Sequence, residues 1–143
     1  MGLGLSSFKL MTGVVVNQNK ITWEEFLKLK DSHEPFIRFN VVTGSMEPLI
    51  PVGTSIIVDP KADYKVNDII VFWQNDKMIV HIFWHTNKSI KLKDKDILIT
   101  RALNSRKLDL SITREQVLGK VVSHKLGIKN LLNLYVFKKF KKY

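Results

Sequence analysis

Three residues of this chain could carry out acyl transfer if the fold brings them together: Ser45, His81 and Asp109. Ser45 lies in VTGSMEPLIPVG (42–53), between a glycine and a methionine, with Pro48, Pro51 and Gly53 close behind. A serine hydroxyl is a weak nucleophile until a neighbouring base takes its proton. Proline fixes φ and glycine admits backbone conformations other residues avoid, so the segment is stiff and kinked, which suits a hydroxyl that must be held in one place. His81 lies in MIVHIFW (78–84), the most apolar strand-like run of the chain. An imidazole buried among Ile, Val and Phe costs free energy unless its nitrogens find partners; a serine hydroxyl and a carboxylate would satisfy both and make it a general base. Asp109, in TRALNSRKLDLS (100–111), offers the carboxylate that would hold an imidazolium.

Each residue also has an ordinary explanation. Gly-Ser is a common turn pair. His81 shares a strand face with Ile79 and Phe83, where a neighbour's carbonyl would satisfy it in a core. Asp109 is near Arg106 and Lys107, which suits a solvated carboxylate. Triad members meet in space, so spacing along the chain does not separate these readings.

The elements that must position them read mostly as strands. FIRFNVV (36–42), TSIIVDP, DIIVFWQ, MIVHIFW, SIKLK, DILIT and VLGKVV (117–122) are rich in β-branched and aromatic residues. Turn compositions separate them at Pro60–Asp63, Asn75–Lys77, Thr86–Asn87 and Lys93–Lys95. One helix is expected ahead of them, in ITWEEFLKLKDS over 21–32. Thr22 and Glu25 form a capping box there, Trp23, Phe26, Leu27 and Leu29 give an apolar face, and Pro35 bars continuation. Short strands in succession with no helices between them predict a mainly β fold, with antiparallel sheets forming a partly open barrel or sandwich and a short N-terminal helix. With 143 residues and 45% hydrophobic content, the chain reads as a single domain over 1–143, with a loosely ordered lead-in over 1–20 and a basic tail over 128–143.

Composition narrows the function classes. There is no cysteine, which removes disulfides and thiol catalysis. The net charge of +10 invites anionic partners. Zinc-ligand spacing, aromatic-basic RNA motifs and Gly-rich loops are missing, so neither nucleic acid, a metal nor a cofactor is expected. No run approaches the roughly 20 apolar residues of a bilayer span, and the N-terminus has no convincing signal-peptide cleavage site. The compartment is not indicated. KLGIKNLLNLYVFKKFKKY at the end has six lysines and no acid, with Leu131, Leu132, Leu134, Val136 and Phe137 as apolar bulk. It reads either as a packed element with a solvated basic end or as a peripheral membrane contact.

VTGSMEPLIPVG resembles the active-site segment of the type I signal peptidases, which share a superfamily with the LexA-like serine peptidases. KVNDIIVFW and MIVHIF resemble the two strands that follow it there, and ITRALNSRKLD with VLGKVV resembles a third region. The resemblance covers roughly residues 36 to 127. One branch of that superfamily uses a Ser-Lys dyad; the archaeal and endoplasmic-reticulum signal peptidases have histidine in the lysine position. His81 stands there, so the chain resembles the histidine branch, in a soluble, anchorless form. The resemblance implies a serine endopeptidase that cleaves a leader, signal or propeptide, with Ser45 as nucleophile, His81 as general base and Asp109 as third member. It implies an oxyanion hole from the Ser45 N–H and the Thr43 hydroxyl, and substrate contacts at Gly44, Met46 and Pro48. The partner it implies is a peptide or protein bound as an extended strand, with small side chains in shallow pockets. Three positions depart from the family pattern: Asn67-Asp68 and Ala102-Leu103 where Gly-Asp is usual, and His81-Ile82 where His-Arg is usual. Leu103 and Ile82 favour an alternative, a catalytically reduced peptide-binding or chaperone-like module. No internal Ala-Gly cleavage segment is visible, and the residues ahead of Phe36 are too few for a separate helical DNA-binding domain.

Overall fold

The computed structural model describes residues 14–16, 20–88 and 96–140. Helix α1 (Trp23–Lys30) begins where the capping box places it. The Thr22 hydroxyl accepts from Glu25 N at 3.2 Å, and the Glu25 carboxylate accepts from Thr22 N at 2.9 Å. That backbone hydrogen bond, with the hydroxyl's, holds the Glu25 carboxyl below the usual carboxylate range. Phe26 is buried, and Trp23 packs edge-on against Trp73, whose indole N–H donates to Ile21 O at 2.8 Å. Leu27, expected on the apolar face, is instead 38% exposed. The face is narrower than four apolar positions suggest, because the row that meets the sheet ends at Lys30, whose amine reaches Glu115 O at 2.8 Å. Burial pushes the Lys30 amine down from the usual lysine range.

The described residues form eight strands, in chain order β1 (Val14–Val16, ahead of α1), β2 (Ile37–Asn40), β3 (Ser55–Asp59), β4 (Ile69–Gln74), β5 (Lys77–Lys88), β6 (Asp96–Arg101), β7 (Ile112–Thr113) and β8 (Val117–Val121). They form one sheet in the order β1-β2-β3-β8-β4-β5-β6-β7. Every neighbouring pair is antiparallel except β1 with β2. The fold is mainly β and antiparallel, as the strand pattern predicts, and the sheet is not closed into a barrel. Residues 14–16, assigned from sequence to a loose lead-in, are a strand on the β2 edge. The turn expected at Thr86–Asn87 lies inside β5, where both residues pair with β6. SIKLK (89–93) and the turn at Lys93–Lys95 fall outside the described residues. Asn75 and Asp76 do form the tight β4–β5 turn, with φ of 53° and 61°.

The central strands are buried on both faces. Ile69 and Val71 of β4 enter a large cluster with Phe39, Met46, Ile82 and Leu118. Ile70 and Phe72 enter a smaller one with Phe83, Leu98 and Ile112. Strand β8 pairs with the end of β3, and the approach is close at Gly119, where an added Cβ would lie 2.5 Å from Asp59 O. The basic tail is helical over Ile128–Phe140 (α2), and Leu134 is buried in the large cluster. Among the described residues no helix is long and apolar enough to cross a membrane.

Candidate active site

Ser45 sits on the turn that follows β2. Glu47 N donates to Gly44 O at 3.0 Å and Ile50 N to Met46 O at 2.9 Å, which coils the segment. The side chains of Met46 and Ile50 are buried at 1% and 0% exposure and pin the turn to the core. Gly53 takes the left-handed φ of 91° that the return needs and donates to Val41 O at 2.8 Å, tying the loop to the end of β2. The hydroxyl is thus mounted on a turn anchored at both ends.

His81 comes from β5, opposite Ile70 on β4. Its ring lies edge-on to Phe72 at 6.1 Å, on the face of the smaller cluster. Asp109 comes from the loop after β6. Asp109 N donates to Thr100 O at 2.9 Å, and a bridge between Arg101 and Leu108 folds the loop back along the strand. Arg101 secures this return from inside: fully buried, it lies over the Trp84 ring at 4.9 Å and donates to the carbonyls of Ala102 and Ser105.

These elements bring the three side chains together. His81 Nε2 is 3.2 Å from Ser45 Oγ, and His81 Nδ1 is 2.5 Å from Asp109 Oδ2. The Thr100 hydroxyl donates to the same Oδ2 at 2.7 Å. The side chains of His81 and Asp109 are only 13% and 24% exposed. A carboxylate with two donors on one oxygen is fixed in orientation. It holds the imidazole with Nδ1–H toward itself, leaving the Nε2 lone pair to face the serine. Lys77, the lysine nearest to His81 in sequence, is exposed at the start of β5 and lines the same cleft as Ser45 and His81.

The remaining expected residues divide. Thr43 Oγ1 is 3.4 Å from Ser45 Oγ, on the nucleophile's own turn. Met46 lines a cleft of about 310 Å3 with Phe39, Ile50, Met78, Thr43, Ser45 and His81. Gly44 adjoins Ser45, but the space beside its Cα is taken by Glu47, whose Oε1 would lie 2.8 Å from an added Cβ. Pro48 is exposed and off this cleft. Strand β5 pairs with β6 only from Ile82 onward. Over Met78–Val80 the edge of β5 away from β4 therefore has no strand partner among the described residues.

Two contributors escaped sequence reasoning, Thr100 and Asn104. Asn104 donates from Nδ2 to Gly44 O at 2.6 Å and from its backbone N to Ser45 O at 3.3 Å. It stitches the loop carrying Asp109 to the turn carrying Ser45. Its targets are backbone carbonyls, which have no signature in sequence. Among the described residues no group of His, Asp and Glu side chains is placed to hold a metal ion.

The class of protein follows from comparison. A family model described as Peptidase S24-like matches residues 11–122, and the chain belongs to that family. This agrees with the resemblance to the superfamily of LexA-like and signal-peptidase-like serine peptidases and supports a peptidase-like function in general terms. Comparison with curated proteins gives no match. Two of the departures from the signal peptidase pattern are packing positions here: Ile82 is fully buried in the large cluster, and Leu103 packs against it.

Proposed function

We propose that the chain is a serine endopeptidase of signal peptidase type, in the histidine branch, that cleaves a leader, signal or propeptide. The observation that supports this best is the continuous line of contacts from Ser45 Oγ through His81 to Asp109 and Thr100. In this reading Ser45 Oγ attacks the scissile carbonyl as its proton passes to His81 Nε2. Asp109 stabilises the imidazolium, which then gives the proton to the leaving amine. Water attacks the resulting ester with His81 again as base, releasing the acid and restoring the serine. The oxyanion of each tetrahedral intermediate lies near the Ser45 N–H and the Thr43 hydroxyl.

The substrate binds as an extended strand. The open β5 edge at Met78–Val80 supplies backbone pairing, and the cleft beside Ser45 takes apolar side chains next to the scissile bond. The alternative, a peptide-binding module without turnover, uses the same cleft and edge. The test is incubation of wild-type protein and Ser45→Ala with a diverse peptide library, with new termini read by mass spectrometry. Cleavage by the wild type and none by Ser45→Ala is expected. Peptides bound equally by both and cut by neither would overturn the peptidase reading in favour of the binding module.

A further inference from the structure

Helix α2 is anchored to the core by Leu134, which is 1% exposed, yet two of its large apolar side chains face outward. Ile128 is 78% and Leu132 61% exposed, one helical turn apart on the same side. Lys125 and Lys129 are exposed beside them, and the sequence adds Lys138, Lys139, Lys141 and Lys142 with no acidic residue after Glu115. The segment leading into the helix passes Val122, 46% exposed, which lines a second cleft with Phe36, 44% exposed, and Arg38. Exposed apolar side chains flanked by cations alone are costly in water unless something anionic with an apolar interior covers them. A folded acidic partner would pair the lysines but leave the protruding Ile128 and Leu132 in need of a matching groove; a lipid surface accepts both without one.

We propose that α2 docks in the plane of an anionic lipid bilayer, with Ile128 and Leu132 entering the headgroup boundary and Lys125 and Lys129 meeting lipid phosphates. The helix is too short to span and needs only to lie on the surface. Docking would place the peptidase domain beside membrane-bound substrates, but the inference rests on α2 alone and is independent of the chemistry proposed for Ser45.

The experiment is flotation of the full-length protein with vesicles of phosphatidylcholine alone and with vesicles in which part of it is replaced by phosphatidylglycerol. Binding to the second kind only, released as salt is raised, is expected. Each lysine changed to glutamine, in Lys125→Gln and Lys129→Gln, should weaken partitioning about fivefold. Ile128→Asn with Leu132→Asn should abolish flotation while peptide cleavage in solution and the thermal melt stay as in the wild type. Absence of flotation at low salt overturns the proposal, as does equal flotation on both vesicle types. A concentration-dependent dimer that Leu132→Asn dissolves, with no vesicle binding, assigns the face to a second copy and equally overturns it. If an asparagine variant fails to fold, the wild-type salt and lipid dependence decides the matter by itself.

Discussion

Asp109→Asn tests the site where its geometry is most specific. In the wild type one carboxylate oxygen accepts from both His81 Nδ1 at 2.5 Å and Thr100 Oγ1 at 2.7 Å. Asparagine keeps the shape and removes the charge. If the amide turns its oxygen to those two donors, the imidazole keeps its tautomer and only the attraction between carboxylate and imidazolium is lost. With charge centres about 4 Å apart and an effective dielectric of about 20, suited to a partly exposed pair, that attraction is about 4 kcal/mol, or roughly a thousandfold in rate. If the amide turns its NH2 to the ring instead, Nδ1 must accept, Nε2 carries the proton and Ser45 loses its base; losses then approach about ten-thousandfold. The expected fall in kcat/KM is therefore about 10^3 to 10^4, with the melting temperature nearly unchanged because the loop is still held by Asp109 N to Thr100 O and by Arg101. The assay is cleavage of a library-derived peptide by wild type and variant across pH. A variant within a factor of a few of wild type would refute the role given to Asp109.

Four further outcomes are expected. Thr43→Val should lower kcat by about 10^2 to 10^3 with little change in KM, as befits a donor used in the transition state; an unchanged kcat removes Thr43 from the oxyanion hole. Asn104→Ala should cost about fivefold in kcat, the worth of one hydrogen bond of about 1 kcal/mol, with little loss of stability; a large fall in melting temperature at unchanged kcat would make it purely structural. Gly119→Ala should destabilise the fold by roughly 2–4 kcal/mol, because its Cβ would meet the backbone of Asp59 and Pro60 at 2.5 to 2.9 Å; denaturant melts read this directly. Thr22→Ala should cost about 1 kcal/mol through loss of the cap. The Glu25 carboxyl is held low in the fold, so its contribution is full above the unfolded value and is lost as pH falls through the folded one. The backbone N–H that meets this carboxylate survives in Thr22→Ala, so melts of wild type and Thr22→Ala should both fall on acidification while Glu25→Gln falls less; equal falls in all three would contradict the role given to the carboxylate.

What the sequence by itself determined here is local. The Thr22–Glu25 box sets the start of α1, and Asn75-Asp76 sets a tight turn, because each depends on atoms within a few residues. The strands around Ser45 and His81 were legible for the same reason, through β-branched runs broken by turn residues, and the stiffness of 42–53 was written in its prolines and glycines. Composition misled at Thr86–Asn87, since residues of turn type join a strand when β6 offers partners along its length. Leu27 and Leu132 are apolar at positions that the fold leaves outside, because burial depends on what lies opposite a helix and not on the helix. The site divides the same way. Its candidate groups could be named from sequence, but whether Asp109 met Arg106, Lys107 or His81 could not. That was decided by the backbone return beside Thr100 and by Arg101 clamped over Trp84, contacts between segments far apart in the chain. Asn104 shows the limit most plainly: a short polar side chain acquires a place at the site only when two loops close enough for it to reach Gly44 O.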